Sequence, residues 1–62
     1  MTLTQPAKRA IKKYGIKVCT EAYALHEWGM GGSTVAWSIP ILKGNTRAGD
    51  SAINAGRELA KK

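Results

Sequence analysis

Residues 29–39 read GMGGSTVAWSI, a glycine-loosened turn that runs into a hydroxyl pair and then an apolar segment. Two folds compete for this stretch. In one, Ser33 or Thr34 caps a short helix whose apolar side is Val35, Ile39 and Leu42, at i, i+4 and i+7. Proline costs a helix interior about 3 kcal/mol, so Pro40 ends that helix near Ser38 or Ile39. In the other, Val35, Trp37, Ile39 and Ile41 alternate with Ala36, Ser38 and Pro40, the period of a strand with its proline at a sheet edge. The first makes the chain a mainly α domain of three or four helices with a helix-turn-helix-like unit, which is the fold expected. The second makes it α+β: a helix, a hairpin turning at residues 29–32, and a helix.

Upstream, Thr4 before Gln5 and Pro6 suits a helix start, because proline gives up only an N–H that the first turn leaves unpaired. AKRAIKKYG then runs unbroken to Gly15, a C-terminal stop. A first helix is expected over residues 6–14, with Ala7, Ala10, Ile11 and Tyr14 as its inner face. Lys8, Arg9, Lys12 and Lys13 fall on the outer face as two i, i+4 pairs of like charge. Such pairs destabilise an isolated helix slightly, a cost that an anion seated against them would offset. Residues 15–18 read as a connector, with Thr20 as the cap and Glu21 in the first turn of a second helix over residues 20–28.

Downstream, KGNT at 43–46 reads as a loop, and Asn45 or Thr46 opens a last helix that runs to about residue 61. Its inner side, Ala48, Ala52, Ala55, Gly56 and Leu59, is almost entirely small, so a neighbouring backbone can come close. Gly49 and Gly56 each cost the helix about 1 kcal/mol relative to alanine. Arg57, Lys61 and Lys62 gather at the C-terminal end, where cations suit the helix dipole.

The 62 residues make a single domain, of a size that buries only about 60% of the surface its unfolded chain exposes. The candidate core is Ile11, Ile16, Val18, Leu25, Trp28, Val35, Trp37, Ile39, Ile41, Leu42, Ile53 and Leu59, with alanines and no Phe. A core that thin points to a homodimer. Cys19 is the lone cysteine, so there is no internal disulfide, and no Cys/His set has zinc spacing. No metal or other cofactor is expected, and a reducing compartment fits. No stretch has the form of a signal peptide, and none approaches the ~20 apolar residues of a membrane span. A soluble cytoplasmic protein without membrane association is expected.

Charge is the strongest compositional signal. The net formal charge is +6; residues 1–17 carry five cations and no acid, residues 18–42 only Glu21 and Glu27, and residues 43–62 five cations against Asp50 and Glu58. Such a chain is drawn to polyanions, nucleic acid first. Enzymatic signatures are missing. HEWGM at 26–30 begins like a zinc-protease motif, but Met30 stands where the second histidine belongs, so His26 reads as a half-buried structural residue. GMGGST lacks the lysine of a phosphate loop, Gly32 occupying its place. No spacing joins the serines, His26 and Asp50 into a nucleophile and base. The chain is not expected to be an enzyme.

Residues 21–39, EAYALHEWGMGGSTVAWSI, resemble the helix-turn-helix unit of small DNA-binding regulators of the phage Cro and repressor type. The resemblance makes Gly29 the turn glycine, Met30 the apolar residue packed beneath it, Ser33 and Thr34 the opening of a recognition helix, and Val35 its core anchor. Leu25 departs from the pattern, which favours a small residue there. The residues it turns towards DNA are Gly31, Gly32, Ser33, Ala36 and Trp37, none able to grip a base edge in two places. Contact with the phosphate backbone remains: Ser33, Thr34 and nearby amides for one phosphate, and Lys8, Arg9, Lys12, Lys13, Lys43 and Arg47 for others. An acid introduced at Thr34 would then weaken DNA binding.

The expected function is a phage- or plasmid-type DNA-binding regulator or accessory factor, dimeric and held mainly by phosphates. Two alternatives stand beside it. Trp28, Met30 and Trp37 cluster about the glycine turn, and exposed tryptophan and methionine anchor protein interfaces. This suits an inhibitor or adaptor, such as a phage factor docking on a host protein. The α+β fold would instead suit RNA or DNA recognised by shape.

Overall fold

A computed structural model describes residues 3–61; Lys62, grouped above with Arg57 and Lys61, lies outside them. The first helix, α1 (Gln5–Tyr14), starts one residue earlier than expected and is capped as expected, the Thr4 hydroxyl accepting the Ala7 amide at 3.4 Å. Ala7 and Ala10 are buried, Ile11 and Tyr14 pack against the core, and Lys8, Arg9, Lys12 and Lys13 are exposed.

The second helix corrects the sequence reading. α2 (Ile16–Glu27) begins directly after Gly15, so residues 15–18 are not a connector, and Thr20 is an exposed residue within the helix rather than its cap. Gly15 alone makes the turn. At φ +97° it holds a backbone that side chains rarely adopt. Its N–H closes α1 on the Ile11 carbonyl at 2.8 Å, and its carbonyl accepts the Cys19 amide at 3.2 Å to open α2.

α2 is capped at Trp28 and followed by Gly29, at φ +95°. The Gly29 amide donates to His26 O and the Met30 amide to Leu25 O, the paired bonds that close a helix on a left-handed residue. His26, half-buried, reinforces the turn. Its Nδ1 lies 3.2 Å from the Met30 carbonyl, which can only accept, so Nδ1 carries the proton.

After the turn at 29–31 the chain is helical over Gly32–Ser38 and Pro40–Leu42, and the described residues contain no strand; the hairpin alternative is excluded. α3 (Gly32–Ser38) has Gly31 at its cap position with no side-chain cap bond, so Ser33 and Thr34 sit inside the first turn and do not cap it. Val35, Ile39 and Leu42 are buried at their helical spacing, while Trp37 and Ile41, which a strand would have buried with them, are exposed. Pro40 opens a 3-10 turn (Pro40–Leu42) after α3 ends. Asn45 caps α4 (Thr46–Ala60), its Oδ1 accepting the amides of Arg47 and Ala48 at 3.0 and 3.3 Å.

α1, α2 and α3 each pack on α4 more extensively than on one another. The small residues of α4 explain this. A Cβ placed on Gly56 would meet the Cys19 carbonyl and lie 2.7 Å from Tyr23 Cβ; one placed on Gly49 would meet the Gly32 carbonyl and lie 3.2 Å from Ala36 Cβ. Helix backbones thus meet at two glycines two turns apart. The resulting core is alanine-rich, with Val35, Ile39, Leu42 and Ile53 its large aliphatic members. Four expected core residues, Ile16, Trp28, Trp37 and Ile41, lie outside it, at 48–81% exposure. Alanines and glycines let the helices approach until little room remains for large side chains.

α1 runs antiparallel to α4, and a clasp fixes the pair at one end. The Thr4 amide and hydroxyl donate to the two Glu58 carboxylate oxygens at 2.9 and 2.7 Å. These bonds, the amide's first, hold the Glu58 carboxyl below its ordinary value of 4.5. A carboxyl depressed in the native state stabilises above its unfolded pKa, and that contribution is lost as pH falls through the native value. Wild-type protein should therefore lose melting temperature from about pH 4.5 downwards more than Glu58→Gln does. Parallel curves in circular dichroism melts would contradict the clasp.

Candidate nucleic-acid interface

The cations of α1 do not form one uniform stripe. Residues four apart share a helical face, and successive residues are turned by about 100°. Arg9 and Lys13 therefore make one row and Lys8 and Lys12 another. Arg9 and Lys13 border an open groove of about 290 Å³ between α1 and α4, completed by Pro6, Ala10, Tyr14 and Ser51. Lys8 and Lys12 are exposed and do not line it. The Lys13 ammonium lies 5.4 Å from the centroid of the Tyr14 ring, a cation–π contact that draws it along α1. Arg47, also exposed, precedes Ser51 by one helical turn on the same face of α4. Ser51, which the sequence reading passed over, joins the site only because α1 lies across α4; no local signal marks it.

The acids sit elsewhere. Glu58 is taken up by Thr4; Glu27 stands beside the Tyr23 hydroxyl and, by that hydrogen bond first, pushes the tyrosine's pKa up. Glu21 is exposed on α2. The Asp50 carboxylate lies directly against Gly32, at the first residue of α3.

That placement bears on the residues of the glycine turn. Gly31 and Gly32 open α3, and Ser33 and Thr34 are exposed in its first turn, but a carboxylate already occupies this end of the helix. A negative charge there takes up the dipole and repels a phosphate. Ala36, expected to face DNA, is instead buried at 1% exposure against Gly49. Trp37 does face outward, at 75% exposure, with its indole lying on Gly44. Lys43 is exposed in the turn between Leu42 and Gly44 and is not among the residues lining the groove. The structure thus brings together Arg9 and Lys13, with Arg47 one turn from Ser51, and leaves the α3 residues on a separate surface whose nearest charge is the Asp50 carboxylate.

Trp28 is 81% exposed at the end of α2. With both indoles in water, emission should be red-shifted and quenched by acrylamide almost as fully as free tryptophan. A blue-shifted, protected component would show that one of them is covered in solution.

Cys19 is buried, and burial raises its thiol pKa, so it remains a packed thiol at neutral pH. Among the described residues no three His, Cys, Asp or Glu side chains are grouped to hold a metal ion, and no helix is long and apolar enough to cross a membrane. Comparison with protein-family models, with curated proteins and with solved structures found no match.

Proposed function

We propose that this chain is a small DNA-binding protein that holds duplex DNA by its phosphate backbone and acts as a regulator or accessory factor of phage or plasmid type. The observation that carries the reading is α1: four exposed cations and no acid, in a chain of net charge +6 whose acids lie on other elements. A surface of that kind attracts polyanions at long range, and each phosphate it neutralises releases counterions. Base readout contributes little, because the outer side of α3 offers Ser33, Thr34 and Trp37 and no Arg, Asn or Gln.

Gly29 at positive φ, half-buried Met30 and fully buried Val35 support the helix-turn-helix resemblance of residues 21–39. Asp50 and the burial of Ala36 argue against α3 as the phosphate-binding element, so the contacts are assigned to α1 and the adjoining side of α4.

Fluorescence anisotropy with a labelled mixed-sequence duplex tests this. Log affinity should fall linearly against log salt, by about 0.9 for each phosphate neutralised. No binding at low salt would sink the reading. Thr34→Asp separates the two placements: affinity should change only as one unit of net charge requires, and a collapse would put α3 on the DNA.

A second reading has its own observation. Residues 28–42 contain no charged side chain and present Trp28, Trp37 and Ile41 to solvent. Exposed tryptophan on an uncharged face suits a protein partner, as an inhibitor or adaptor would need.

A further inference from the structure

We infer that the groove between α1 and α4 seats one sugar-phosphate unit of a nucleic-acid backbone, the phosphate held by Arg9, Lys13 and Ser51. This rests on the nucleic-acid reading above and narrows it: two of the four α1 cations bind at a defined seat, and the other two supply only long-range attraction.

The groove has chemically distinct parts. Arg9 offers the planar fork that grips a phosphate through two parallel bonds. Lys13 adds a second positive charge one turn later, its ammonium already drawn alongside the Tyr14 ring. Ser51 brings a neutral hydroxyl donor from the opposite wall. Pro6 and Ala10 give apolar surface against which a sugar can rest, beside the Tyr14 ring. The groove is open and about 290 Å³ in volume, the scale of one such unit.

Along the outer side of α4, Arg47 stands one turn before Ser51 and Glu58 about two turns after it. Glu58 is a carboxylate engaged by Thr4, whereas Arg47 is exposed. A neighbouring phosphate of the same strand can meet Arg47.

Two matched double variants test the seat. Arg9→Gln with Lys13→Gln, and Lys8→Gln with Lys12→Gln, each remove two charges from the same helix, and each relieves one like-charge pair, so α1 should remain folded. Helical circular dichroism checks this. With a labelled duplex at fixed salt, the Arg9/Lys13 variant should lose about ten-fold more affinity than the Lys8/Lys12 variant. Ser51→Glu, an acid on an exposed position of α4, should lose a similar factor. In the wild type, thymidine monophosphate should shift the Arg9 Nε and Ser51 amide signals.

Equal losses from the two double variants would overturn the seat and leave the DNA-binding reading intact. Absence of duplex binding by the wild type would overturn both. Binding of the mononucleotide without the duplex would overturn the backbone assignment and make a free phosphomonoester the ligand.

Discussion

Gly56→Ala should lower the melting temperature by roughly 10 °C, although alanine is the better helix former. At an exposed helical position the exchange gains about 1 kcal/mol of propensity. Here the added Cβ meets the backbone carbonyl of Cys19 and comes within 2.7 Å of Tyr23 Cβ. Neither can rotate away, so α2 and α4 must separate along their whole crossing. Overpacking of that kind costs about 1–3 kcal/mol and often more where backbone must move, and each net kcal/mol is worth about 4–8 °C in a domain of this size. Gly49→Ala should act in the same sense through the Gly32 carbonyl and Ala36, and the two losses should add. A melting temperature above wild type in thermal circular dichroism would mean that the helices do not cross at these glycines.

Leu42→Ala should be the most damaging single truncation, at about 3 kcal/mol. Leu42 heads the fully buried side chains by volume, followed by Val35 and Cys19. It sits at the end of the 3-10 turn, where it ties α3 to the start of α4. With most of the core made of alanine, few large neighbours remain to collapse into the cavity. Total stability for a chain of this length is about 3–9 kcal/mol, so the variant should be partly unfolded at 37 °C. Urea titration followed at 222 nm measures the loss; a midpoint within error of wild type would place Leu42 outside the core.

The outer helices were legible because their starts carry strong local signals: Thr4 with Pro6, and Asn45 with its two accepted amides. The stretch 29–39 was legible only in part. Val35, Ile39 and Leu42 obey a helical period and became the core, yet the same residues interleave with Trp37 and Ile41 in a strand-like alternation. What broke the tie is Gly49, whose missing side chain admits α3 at close range. The start of α2 was misread because Thr20 and Glu21 look like a cap and first turn, while Gly15 makes its turn with no residue to spare. In the candidate site, the cations of α1 could be read from the sequence. Their division into two rows could not, because only the position of α4 turns Arg9 and Lys13 towards Ser51. The contact of Asp50 with Gly32 joins residues eighteen apart and leaves no local pattern.

The central position of α4 also governs when this fold can form. A ribosome delivers α1, α2 and α3 before the helix on which all three chiefly pack. Until α4 emerges, the earlier helices have only one another, and isolated helices of 7–12 residues are marginal in water. Folding of residues 3–61 should thus wait for α4 to emerge and proceed in one step, with no stable half-domain on the way. A ribosome-bound chain halted at residue 44 should be degraded by a protease that spares the chain carrying α4.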